Sequence, residues 1–450
     1  MNELTFIEKL FSAAQAVGLT EFEAFFREGS SFKAGAFGGE VDNYSVNTSA
    51  GLSFRALHNG RMGYAYTEAF DDAAVSLLVS RAIGNAEVIE DDDPQFIFGG
   101  SPSYATVDSF SVELEGLSAP DKIELVKGLE ADAKAYSPHI RSVQYCTVVQ
   151  SGGRVRLKNS KGLDLQFQSN SMAAYLMAIA DVQGKVTTGF AVQASPRPAG
   201  IERTALAHRA AQRALERQGA TSVPSGKYDI ALFNEVAVEF IGAFADIFSA
   251  DDAQKGKSRF LNREGSAIAA DTVTIIDDPL LAEGFASAPF DDEGVATYTK
   301  AVVERGVLKT LLHNLKTAAK AGCASTGNAA KAGLAGPVGV SPSNFYLQPG
   351  ALSYDGLLEQ VGEGLLITEL DGLHAGVNAV SGDFSLAAKG FRVTGGQRGA
   401  PVEQITLAGN FYDLLNSIAA LADDLYFDFG GSGSVGSPTL LIKGLSVAGE

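Results

Sequence analysis

Gly372-Leu-His-Ala-Gly-Val-Asn-Ala-Val-Ser-Gly-Asp-Phe-Ser385 joins two strand-like runs through small residues, an Asn, an Asp, a Ser and one of the five His among 450 residues. Glycine at 372, 376 and 382 permits positive φ and close approach of a second backbone. The stretch therefore predicts a tight loop that hugs the chain. His374, Asp383 and Ser385 are the residue types of a hydrolytic triad, but triads are defined by geometry and drawn from distant segments. No Gly-x-Ser-x-Gly elbow stands between a strand and a helix. The reading that follows is a loop whose Asn378 and Asp383 bond to backbone.

Outward from this loop the pattern is α+β. Apolar residues at helical spacing (Leu4, Ile7, Leu10, Phe11, Ala14) open the chain. Short strands follow at Glu23–Arg27, Asp42–Asn47, Gly51–Leu57 and Met62–Tyr66, then a helix from Asp71 to about Val88. Ser118-Ala-Pro-Asp121 reads as a capped helix start, and a second strand series over 141–190 is closed by a helix at Gly200–Arg217. The first half thus contains a helix–strands–helix unit twice, a pattern open to reading as a duplication. Val46–Phe54 and Leu157–Leu165 share an Asn, Ser, Gly-Leu turn signature. Ser222-Val-Pro-Ser-Gly226 is turn chemistry and divides the chain into domains 1–221 and 222–450. The second domain reads as mostly antiparallel sheet with flanking helices near 314–321, 353–361 and 411–420.

Composition narrows the function. A net charge of −18 without a basic stripe argues against direct DNA binding. No apolar run approaches a membrane span, and Met1-Asn-Glu-Leu does not read as a signal peptide. Two distant Cys, 146 and 323, make no disulfide framework, so the expected location is cytoplasmic.

Other constellations favour architecture over chemistry. Asp291-Asp-Glu-Gly294 offers paired carboxylates, yet the motif is better read as a turn with Gly294 at the unusual dihedral. Asp292, Glu293 and Asp383 remain the weak catalytic candidates. Ser325-Thr-Gly-Asn328 reads as a turn, and Cys323 beside it as a small buried residue. Arg55, His58, Arg61 and Tyr64 read as a solvated sheet face. Gly409-Asn410 precedes an apolar helical run through Leu421. Loop 430–436 lacks the Lys and spacing of a phosphate loop.

Gly372–Ser385, taken with Asp291–Gly294, Ser325–Asn328 and Ala408-Gly-Asn410, resembles the C-terminal half of the TldD/PmbA family, the "modulator of DNA gyrase" proteins. The likeness is to the PmbA/TldE-like branch. TldD-branch members carry His-Glu-x-x-x-His on a helix after a strand; the matching stretch here, Leu232–Gly242, keeps Glu235 and has no His. The family's late cysteine ligand also has no match in Phe429–Pro438. The five His are separated by at least 61 residues, so no two share a helical turn. The resemblance therefore implies no metal or other cofactor in this chain, with zinc expected only in a TldD-like partner. It implies peptide-binding or motif roles for Gly294, Asn328, His374, Gly376, Asn378, Gly382, Asp383, Phe384, Ser385, Gly409 and Asn410. Expected partners are a TldD-like metallopeptidase subunit and an extended or unfolded peptide, with a homodimer left open. The rival readings are a peptidase using its own carboxylates, and a homodimeric peptide-binding module without proteolysis.

Overall fold

The computed structural model describes residues 1–90, 93–429 and 433–450. The acidic stretch 90–94 and the glycine-rich stretch 430–436 lie partly outside the described residues.

Helix starts follow the side chains available to cap them. Asn2 accepts from the Thr5 N–H ahead of helix Glu3–Ala16, and Asp71 does the same for Ala74 ahead of Asp72–Val88. Ser118 and Asp121 form a reciprocal capping box for Ala119–Ala135. Between these helices run six strands: β1 (Phe22–Phe37), β2 (Glu40–His58), β3 (Arg61–Thr67), β4 (Ile140–Asn159), β5 (Asp164–Val182) and β6 (Lys185–Ser195). They form one antiparallel sheet in the order β3-β2-β1-β4-β5-β6. Helices Glu3–Ala16 and Asp72–Val88 cover β1–β3 through Phe6, Leu10, Phe22, Phe54 and Leu78. Helices Ala119–Ala135 and Arg203–Glu216 cover the β4–β6 side through Val126, Val148, Leu176 and Ala210.

The two helix–three-strand–helix units are therefore joined edge to edge at β1 and β4. Each carries a glycine on its outer strand where its second helix touches backbone. A Cβ on Gly63 would lie 1.7 Å from the Ala82 carbonyl oxygen, and one on Gly189 would lie 2.3 Å from that of Ala210. This shared packing supports a duplication better than the shared turn signature does. Asn47–Gly51 is not a turn at all; it lies inside the uninterrupted β2, whereas Ser160–Gly162 does turn between β4 and β5.

In the second half, strands 397–410, 383–394, 364–371, 226–232, 440–448 and 418–421 form a sheet in that order. Thr406–Ala408 pairs back onto Ser446–Ala448, closing five of the strands into a ring. Helix Asn234–Gly242 packs against it through Val236, Phe240 and Ile241. A second six-stranded sheet contains 344–347 and 434–437 side by side. Two expectations are corrected here. Ser434–Ser437 is a buried strand rather than loop, because its backbone pairs with Asn344–Tyr346. The helix expected over 411–420 stops at Leu414, and Ile418–Leu421 continues as a strand against Leu440–Ile442.

Candidate functional site

Between helix Arg203–Glu216 of the first half and the ring of the second lies a cleft of about 480 Å³. Thr188 and Phe190 of β6 line one side, and Glu235, Glu239 and Glu369 face them from the other. Charged pairs cross this gap. Arg213 grips Glu235 with both Nη atoms at 2.8 Å and also donates to the Phe190 carbonyl at 3.0 Å. Arg209 stands 3.8 Å from the same carboxylate. Arg217 pairs with Glu369, and Arg398 with Glu216. Helical spacing explains the alignment, since positions 209, 213 and 216/217 share one face.

At the start of helix Asn234–Gly242 the Asn234 amide donates to the Asp424 carbonyl at 2.7 Å, while its oxygen accepts from the Glu235 N–H at 2.7 Å. One turn on, burial raises the Glu239 carboxyl above its ordinary range, and Glu235, Glu369, Asp428 and Asp371 push it further.

Asp291–Gly294 folds as the expected turn, with φ +83° at Gly294 and the Asp291 carboxylate accepting from the Glu293 and Val295 N–H groups. It does more than turn. Glu293 reaches across to Arg55 Nη1 at 3.2 Å and accepts from the Leu315 N–H at 2.8 Å. Arg55 also donates to Glu23 at 2.8 Å, and Asp292 accepts from the Lys331 N–H at 2.7 Å. The Lys331 ammonium donates to Ser53 Oγ at 3.2 Å and lies over the Phe25 ring. The reading of Arg55 as part of a solvated face is thus overturned: it is 2% exposed, because the 291–294 turn covers that side of the sheet. Glu23 and Glu293 keep its guanidinium charged despite burial, and burial pushes the Glu23 carboxyl up. Burial also raises Asp292 and pulls the Lys331 amine down to about 8.

Asn328, one of the expected peptide-binding or motif residues, is 3% exposed. Its side chain joins Asp277, Lys300, Thr326 and the Ser341 carbonyl in a buried polar hub. Cys323, expected buried, is exposed; Cys146 is the buried thiol, pushed up to about 12 chiefly by burial.

The segment 372–382 hugs the chain as expected, but Leu373–Gly376 is a helical turn and Asp383–Ser385 already belong to the strand 383–394. Asn378 Oδ1 accepts from the Val380 and Ser381 N–H groups, and Asn410 Nδ2 donates to the Ser381 carbonyl and the Asp383 carboxylate, each at 2.8 Å. Gly382 has φ +83°, and a Cβ there would lie 2.5 Å from the Tyr412 ring. Gly376 lies against the Ser385 backbone, and Gly409 against the ring of Phe384, which is itself in the core. His374 and Ser385 are exposed. Among the described residues no hydrogen bond joins His374, Asp383 and Ser385 into a triad, or links Asp383 to Asp292 and Glu293. Sequence reasoning overlooked the cleft arginines; their recurrence at 209, 213 and 217 on one helix was the available signal.

This α+β architecture, with a cleft beside the strand-to-helix turn at Phe233, is shared with a class of chains that family models describe as PmbA/TldA metallopeptidases. Family models match at three places: PmbA/TldA metallopeptidase domain 1 over residues 22–86, the central domain over 113–218 and the C-terminal domain over 225–449. The chain belongs to the PmbA/TldD metallopeptidase family. It is 30% identical to a metalloprotease of Methanothermobacter thermautotrophicus, covering 88% of this chain and 87% of that one. It is 27% identical to metalloprotease PmbA of Escherichia coli O157:H7, covering 86% and 84%. A candidate modulator of a DNA gyrase from Thermotoga maritima has a similar structure, with TM-score 0.90 at 32% identity over 99% of this chain and 100% of that one. TldE from Thermococcus kodakarensis matches in fold, with TM-score 0.89 at 18% identity over 99% and 100%.

The family description implies a metal, and the residues at Glu235 do not fit one. Asn234 is committed to backbone bonds, and two guanidiniums flank the Glu235 carboxylate. Two unit charges of like sign 4 Å apart repel by about 4 kcal/mol near a protein surface. Among the described residues no group of three or more His, Cys, Asp or Glu is arranged to hold an ion. Among the described residues no helix is long and apolar enough to cross a membrane.

Proposed function

We propose that this chain is the metal-free, PmbA/TldE-like subunit of a TldD/PmbA-type metallopeptidase. It binds extended or unfolded peptides and completes a chamber whose metal comes from a TldD-like partner. One observation carries the reading: Glu235, at the family's metal-motif position, is held by Arg213 and Arg209 and flanked by Asn234 and Glu239 where the metal-bearing branch has His. A peptide has somewhere to lie. Among the described residues β6 pairs with β5 alone, and its other edge borders the cleft beside the half-exposed Phe190. Strand addition there gives main-chain hydrogen bonds that tolerate many sequences. The rival peptidase acting through Asp292, Glu293 and Asp383 gains no support, since Asp383 is bonded apart from the other two, which are taken up by Arg55 and backbone amides.

Elemental analysis of the purified chain tests the proposal. The expected result is far less than one zinc or iron per chain, with hydrolysis of an unfolded peptide only when a chain carrying His-Glu-x-x-x-His is added. Stoichiometric, tightly held metal in this chain would refute it.

A further inference from the structure

We infer that Arg213 is a resident cation: its guanidinium occupies the place at Glu235 that an ion would need, and it pins the two halves of the molecule together across the cleft. The inference rests on the metal-free reading and adds what fills the position and what that filling does.

Three observations point there. First, the pair is two-pronged, with both Nη atoms of Arg213 at 2.8 Å from the two Glu235 oxygens. The planar fork of arginine matches a carboxylate in a way a lysine ammonium does not. Second, the same guanidinium donates to the Phe190 carbonyl on β6, so one side chain ties the sheet of the first half to the helix of the second. Third, the surroundings favour a positive charge. Glu239 lies one turn beyond Glu235, with Glu369, Asp371 and Asp428 contributing to its field. Among the described residues these carboxylates are not arranged to hold an ion, but their shared negative field favours a cation, and the fixed guanidinium of Arg213, seconded by Arg209, supplies it. Arg217–Glu369 and Arg398–Glu216 extend the seam along the same helix face. Arg213 is thus a positioning residue, and Glu235 is its anchor.

The test is a thermal-melting cycle on the full chain with Arg213→Met, Glu235→Gln and the double variant, paired with equilibrium dialysis against zinc. If the inference holds, each single change lowers the Tm by about 1–3 °C. The double variant then melts no lower than the weaker single, because the two residues act as one unit. Arg209→Gln/Arg213→Gln, with both guanidiniums gone, should hold zinc at least about tenfold more tightly than the natural chain. Additive losses in the cycle, or unchanged zinc affinity in a folded Arg209→Gln/Arg213→Gln variant, would overturn it. Should Arg213→Met fail to fold, Arg213→Lys retains charge without the fork; melting equal to the natural chain then counts against the inference. Stoichiometric zinc in the natural chain would instead sink the metal-free reading itself.

Discussion

Lys331 and Arg55 are two cations held against acids inside the joint between the halves. Arg55 meets Glu23 and Glu293, both almost fully buried. Lys331 faces Glu23, Asp292, Glu293, Arg55, Ser53 and the Phe25 ring. Its amine titrates near 8 rather than at the ordinary 10.5, chiefly through burial, with Arg55 adding repulsion. In the unfolded chain that amine regains its ordinary affinity for protons. Between pH 8 and 10.5 the unfolded state therefore binds more protons, and stability rises with pH across this window. At 1.36 kcal/mol per unit the rise is about 3 kcal/mol. Urea unfolding of the natural chain and of Lys331→Met at pH 7.5, 9 and 10.5 checks this; the variant should lose most of the slope, and parallel slopes would disprove it. None of this was readable around Arg55 itself. A strand alternates faces, but whether a face meets water depends on what covers it, and here the cover is a turn 238 residues further along the chain.

At the scale of elements, local signals were legible where the chain satisfies itself locally. The helix starts at Asp71 and Ser118, and the hairpin turn after Asn159, all involve neighbours within a few residues. The loop 372–382 was legible for the same reason, since Asn378 bonds to the backbone of Val380 and Ser381. Elements that depend on distant partners were not: Ile418–Leu421 has helical spacing but becomes a strand because Leu440–Ile442 offers it an edge. The Asp291–Gly294 turn belongs to both classes. Its dihedral was predictable, its docking role was not. Gly294→Ala should expose that role. A methyl there faces φ +83° and a Leu163 methyl at 2.6 Å, so a loss of about 1–3 kcal/mol is expected. Limited proteolysis should then cut faster in 217–226 between the halves, because the turn no longer seats on the sheet. Unchanged cleavage with lowered stability would mean that the turn strains without docking.

Over the whole molecule, the charge of −18 sits on a chain whose halves meet through paired charges rather than apolar surface alone. The cleft arginines belong to this scale. They lie on one half and their acids on the other, so a reading of either half alone finds a solvated charged helix face. The family's appearance in the chain was legible from four short motifs, while the object those motifs build, a joint and a hub, needed the fold.

The β1–β4 junction sets how the first half must be made. Its strands run together from Glu23 to Ala36, straight across the border between the first and central family domains. Neither piece is a free-standing module: cut between 86 and 113, each would present a raw row of amides and carbonyls with no partner. Produced separately, the fragments should be sticky and insoluble, and produced together they should recover each other by completing the shared sheet.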